Sequence, residues 1–161
     1  MEKKSLVSER KLRQTLPAYE LRESTNYEML VFCHLRWNFV YQRPQHLISR
    51  LSTSLKTLFV EEPIAYQPQE EGTYEIEKIT DQLHVLRPKV NSISGITGIL
   101  RELLPSHHLG VGWFYSAAFS EVLSEFKFDA VVYDCMDELS QFKFAPPELK
   151  ILEVSLLKKA D

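Results

Sequence analysis

The sequence predicts an α/β protein, a doubly wound and mostly parallel sheet with helices on both faces and an appended hairpin. Three observations predict it. Short runs of β-branched and aromatic residues alternate with longer stretches whose apolar residues recur at helical spacing. The first such run, Met29 to His34 (MLVFCH), is apolar almost throughout, as a strand covered on both faces must be. Finally, 44% of the 161 residues are hydrophobic and 25% charged, with only 5 Gly and 8 Pro, which excludes collagen-like and disordered chains.

The elements follow in order. Residues 1–26 read as a charged leader, in which Leu6, Leu12 and Leu16 could line a short helix stopped by Pro17. The folded domain is expected over 27–161. After the strand at Met29 comes a polar loop, and then Pro44 suits the first turn of a helix carrying Leu47, Ile48, Leu51 and Leu55. Thr57 to Glu61 (TLFVE) is the second strand, stopped at Glu62-Pro63. Tyr74 to Lys78 and Leu83 to Arg87 flank Thr80-Asp81-Gln82 and read as a hairpin at the sheet edge. Val111 to Tyr115 and Ala130 to Asp134 are two more strands, with a helix over Ala117 to Phe126 between them. The Ala130 strand, led by Ala130-Val131-Val132, is expected to be buried on both faces. A last helix runs from Pro146 to Ala160, with Leu149, Leu152 and Leu156 on its core face and Lys158 and Lys159 at its negative end. A crossover helix usually delivers the chain to another strand, so the sequence is expected to be part of something larger.

Charge and cysteines narrow the function. A net charge of -3 supplies no global field for nucleic acid or anionic lipid, although peripheral contact with a membrane stays open. Cys33 and Cys135 lie in or beside apolar runs and read as small buried hydrophobes, which suits a reducing cytoplasm. No apolar stretch approaches the roughly 18 residues of a membrane span. The turn after the first strand has no glycine, the first being Gly72, so neither a dinucleotide fingerprint nor a phosphate loop forms there and no cofactor is expected. Gly95, Gly98, Gly110 and Gly112 read as loop and strand-entry positions. His107 and His108 have no Cys or acid at ligand spacing, so no metal is expected. His84 reads as partly buried in its strand.

In an open parallel sheet the binding crevice lies outside the carboxyl ends of the strands. The loop after the first strand, His34 to His46, is such an end and is dense in groups that stack on or hydrogen-bond to a polar ring. Trp37, Asn38, Gln42 and Arg43 are the candidate contacts, with core packing the alternative for Trp37. Phe39 and Val40 read as cover for the sheet. Asp134, Asp137 and Glu138 place three carboxylates within five residues at another strand end, more than turns and caps require. Their mutual repulsion calls for a cation such as Arg36 or Arg43, or for backbone N–H groups.

His34 to Leu47 (HLRWNFVYQRPQHL), Phe59 to Pro63 (FVEEP), Trp113 to Tyr115 (WFY), Val132 to Ser140 (VYDCMDELS) and Ala145 to Leu149 (APPEL) together resemble the N-terminal half of bacterial GT-B type, family 4-like glycosyltransferases. The resemblance runs in order from Met29 to Asp161. It implies a Rossmann-like domain that supplies the acceptor side of a cleft, while a second domain, absent from this sequence, binds the nucleotide sugar. The expected function is thus the acceptor-side domain of a nucleotide-sugar-dependent glycosyltransferase for cell-surface polysaccharide, inactive alone. It would work in the cytoplasm or at the inner face of the membrane. Its partners would be a sugar or glycolipid acceptor and, through the second domain, a nucleotide sugar donor. Trp37, Asn38, Gln42 and Arg43 are then the acceptor contacts, and His34, Arg36, Glu61, Asp134, Asp137 and Glu138 the cleft rim. A non-catalytic Rossmann-like module that binds a sugar or a protein is the alternative.

Overall fold

The computed structural model describes residues 25–161, so the short helix expected through Leu16 lies outside the described residues. Strands β1 (Met29–Cys33) and β2 (Thr57–Glu61) form where the apolar runs predict them, and all ten residues are buried. Between them α1 spans Arg43–Leu51, with Pro44 in its first turn, where the missing N–H costs no helical hydrogen bond. The hairpin is β3 (Thr73–Lys78) with β4 (Leu83–Lys89), and its second strand also pairs in parallel with β2. Then come α2 (Ile96–Leu103), β5 (His108–Phe114), a 3-10 stretch over Ala117–Ser124, β6 (Lys127–Tyr133) and α3 (Glu148–Leu157).

The six strands stand in the order β3-β4-β2-β1-β5-β6, and every pairing is parallel except β3 with β4. Chain direction across the sheet reverses beside β1. From β1 the chain steps outward to β2 and β4 on one side, and later returns to β5 and β6 on the other. That places the topological switch point between β1 and β5, where an open α/β sheet leaves a crevice.

Alternate residues of β1 enter two apolar clusters. Leu30 and Phe32 pack with Ile96, Ile99, Leu100, Phe119 and Leu156. Met29, Val31 and Cys33 pack instead with Ile48 of α1, Phe59, Val85 and Trp37. The period of two along a strand is what sorts them.

Five expectations need correction. Phe39 and Val40, read as cover for the sheet, are 79% and 49% exposed, because the loop after β1 is held by polar contacts and leaves both side chains outside. Ala117 to Ser124 winds as a 3-10 helix and not an α-helix; its buried residues pair as Ala117 with Ser120 and Phe119 with Val122, the three-residue repeat that this winding aligns. The strand β6 is half-exposed because it is the edge of the sheet, not a central strand. Cys135, just past β6, is exposed, whereas Cys33 is buried. Gly95 and Gly98, expected in a loop, stand at the N-cap and in the interior of α2.

Candidate functional site

The loops that follow β1, β2, β5 and β6 meet along the carboxyl edge of the sheet. Glu61 ends β2 fully buried, and a buried carboxylate must be hydrogen-bonded to persist. Its Oε1 accepts the Trp37 backbone N–H at 2.8 Å, and Oε2 lies 3.2 Å from both Arg36 Nη1 and Arg87 Nε. Arg36 also donates to the carbonyls of Glu62 and, at 2.9 Å, Pro63. Arg87 and Asn38 both donate to Glu77 Oε2, at 2.6 and 2.7 Å. The donors and acceptors of this network consume one another. A small cleft of about 280 Å³ beside Arg36, Asn38 and Glu61 is therefore lined by groups already engaged.

Trp37 is 8% exposed, and its indole meets the Phe59 ring edge-on at 5.0 Å. Core packing describes its place. Gln45, not among the expected contacts, organises the same loop. It is 1% exposed, and its Nε2 donates to the carbonyls of Arg36, Trp37 and Val40 at 3.3, 3.2 and 3.0 Å, while Oε1 accepts the Gln42 N–H at 3.0 Å. The signal for it was a polar residue three positions before Ile48, on the buried face of α1.

The three acids after β6 do not converge. Asp134 turns to Arg43, 2.9 Å away at the first turn of α1, so a cation does meet the buried carboxylate; its other oxygen, Oδ2, has no hydrogen-bond partner among the described residues. Asp137 is exposed and acts electrostatically on His34. Glu138 accepts from Gln141 at 3.1 Å. Close spacing in sequence thus spreads over three directions, because the chain bends at Met136 and Asp137 just past the strand.

His34 continues from β1 at the switch point. It is half-buried, and its Nδ1 has no hydrogen-bond partner among the described residues. Burial holds its pKa below the ordinary histidine value, with Asp137 opposing, so the imidazole is neutral at pH 7. The ring lines a cleft of about 600 Å³ together with Glu62, Ser116, Ile93, Phe142 and Leu149. The size is that of a small-molecule site. Burial also raises the Glu62 carboxyl, against the nearby Arg36 guanidinium. Ser116 caps the 3-10 stretch by accepting the Ala118 N–H at 3.3 Å. Beneath this edge, burial pushes the Cys33 thiol up to about 12, which removes it as a nucleophile.

The structure therefore brings together Arg36 with Glu61, and Arg43 with Asp134, and places His34 in a separate, larger cleft with Ser116, Ile93 and Phe142, none of them an expected site residue. His108 lies elsewhere, at the start of β5, where its Nε2 is 2.7 Å from Asp129. His84 is 2% exposed in β4. Among the described residues no group of three or more His, Cys, Asp or Glu side chains could hold a metal ion, and no helix is long and apolar enough to cross a membrane. No family model matches the chain, and no curated protein or solved structure matches it.

Proposed function

We propose that this chain is the acceptor-side domain of a nucleotide-sugar-dependent glycosyltransferase, a Rossmann-like, doubly wound unit with helices on both faces of its sheet. The observation that carries it is where the resembling stretches fall. Four of the five each contribute to the 600 Å³ cleft: His34, Glu62, Leu139, and Ala145 with Pro146 and Leu149. The fifth, Trp113 to Tyr115, runs into Ser116 of the same cleft. Residues as far apart in sequence as His34 and Leu149 thus converge on one crevice at the switch point, the place where an open α/β sheet binds ligands. The division of apolar residues into two clusters supports helices on both faces.

In this reading Glu61, Arg36 and Gln45 hold the loop rigid, a preorganisation that acceptor positioning requires. Trp37 anchors it from below, and the acceptor contacts in this reading are His34, Glu62 and Ser116 of the cleft, not Asn38, Gln42 and Arg43, which line no part of it. A second domain supplies the nucleotide sugar, in the cytoplasm or at the inner face of the membrane, for a cell-surface polysaccharide. The test is a screen of nucleotide-sugar donors and sugar acceptors on the product of the uninterrupted reading frame. Transfer is expected there and not with the 161 residues alone. Absence of transfer from every donor would overturn the enzymatic reading.

A further inference from the structure

The 600 Å³ cleft owes half of its lining to one short segment, through Leu139 and the run from Phe142 to Pro146. Within that segment none of residues 138–145 is buried, and none of their side chains joins either apolar cluster. Their backbone hydrogen bonds stay inside the loop: the N–H groups of Leu139, Gln141, Phe142 and Ala145 donate to carbonyls two or three positions earlier. A segment held in this way opens at low cost, because no bond of the sheet or of a helix breaks with it.

The two ends, by contrast, are fixed. On one side Asp134 pairs with Arg43 and donates its N–H to the Phe114 carbonyl at 2.9 Å, and Met136 packs against the cluster of Ile48 and Phe59. On the other side Leu149 of α3 packs against the opposite cluster. Fixed ends around a loosely held middle are the anatomy of a hinged lid.

Among the described residues one hydrogen bond joins 138–145 to another element. The Ser140 hydroxyl donates to Glu153 Oε2 at 3.2 Å, midway along α3. Glu153 is held independently by the Tyr133 hydroxyl, which donates to its Oε1 at 2.6 Å from the end of β6. The carboxylate therefore keeps its place when Ser140 leaves, as the fixed half of a latch must.

We infer that residues 138–145 are a lid on the cleft, closed in this structure and latched by Ser140 on Glu153. Phe142 and Phe144, 59% and 89% exposed, ride on the lid, so its opening takes no apolar side chain out of the core. The lid governs the entry of a small molecule into the cleft, and it does so whether or not the chain serves sugar transfer.

The test is native-state proteolysis of the full chain with thermolysin, which cuts before large apolar residues, run beside amide hydrogen exchange. In the unaltered protein the amides of 139–145 should exchange at least tenfold faster than those of α3. Ser140→Ala should speed cleavage before Phe142 and Phe144 at least tenfold, the effect of losing a hydrogen bond to a charged acceptor, at an unchanged melting temperature. Ser124→Ala, which removes a hydroxyl bonded to the Glu121 carbonyl, is the control and should leave both rates as they are. Gating is read separately. With Cys135→Ser the remaining thiol, Cys33, is buried, and Ala118→Cys then puts a reporter in the cleft lining. Its reaction with a bulky maleimide should also rise at least tenfold on Ser140→Ala.

Three outcomes would each overturn the inference. Equal cleavage rates with and without the Ser140 hydroxyl would remove the latch. Cleavage that rises together with exchange across α3 would show loop and helix opening as one unit. Faster cleavage with unchanged labelling at position 118 would show a loop that moves without gating the cleft. Should Ser140→Ala fail to fold, exchange in the unaltered protein decides, and equal protection of 139–145 and α3 counts against the lid.

Discussion

Trp37 and Asn38 are neighbours in sequence with opposite surroundings, and the difference is measurable. The indole is packed on Phe59 under the loop, whereas Asn38 is exposed and reaches out to Glu77. Trp37→Ala is expected to cost about 3–5 kcal/mol, the range for deleting a large buried aromatic. Asn38→Ala should cost less than about 1 kcal/mol, since it removes one exposed hydrogen bond. Urea denaturation of both variants checks this; a Trp37→Ala midpoint equal to that of the unaltered protein would place the indole outside the core. At this scale the candidate site was half legible. The stacking and hydrogen-bonding loop announced itself by composition, but nothing in its residue types shows which members saturate one another. Only the fold brings Arg87 and Glu77 to Arg36 and Glu61 and so closes that network.

The strands were legible because their apolar runs are continuous, and β2 spans the five residues that its pattern predicts. Helix α2 was not, although Ile96, Ile99, Leu100 and Leu103 recur at the spacing of a helical face and are all buried. Two glycines within four residues hid it, since glycine is the usual mark of a turn. The two kinds of glycine in this fold predict opposite responses. A Cβ on Gly98, inside α2, would meet nothing within 4 Å, while one on Gly112 of β5 would lie 2.8 Å from the Phe128 ring. Gly98→Ala is accordingly expected to stabilise by about 0.4–1 kcal/mol by restricting the unfolded chain. Gly112→Ala should destabilise, because the ring must leave its place. Thermal melts of the two variants shifting in the same direction would contradict this. The edge position of β6 was illegible for another reason: which strand has a neighbour on only one side is a property of the whole sheet order.

Across the whole molecule, acid should unfold the protein partly through His84. The ring is buried in β4, its Nδ1 2.7 Å from the Tyr27 hydroxyl, and its pKa is pulled from 6.5 down to about 4 by burial first and then by Lys56 and Lys78, against Asp81. The unfolded chain therefore binds this proton more readily than the folded one. The contribution is fully present above pH 6.5 and is lost as the pH falls toward 4, by roughly 3 kcal/mol at about 1.4 kcal/mol per unit. His84→Gln should flatten the stability profile across that window in denaturation experiments, and an unchanged slope would refute the assignment. Asp161 acts on the same global scale through solubility. Its backbone N–H donates to the Val131 carbonyl and its carboxylate accepts the Val131 N–H, at 2.9 and 2.8 Å. One residue thereby occupies both outward hydrogen-bonding groups of Val131, in the middle of the open edge of β6, where another molecule's strand would otherwise add. The carboxylate is in effect a guard against edge-to-edge aggregation. Light scattering of Asp161→Ala at rising concentration should show oligomers at a lower concentration than the unaltered protein, and identical curves would show that the edge needs no such guard.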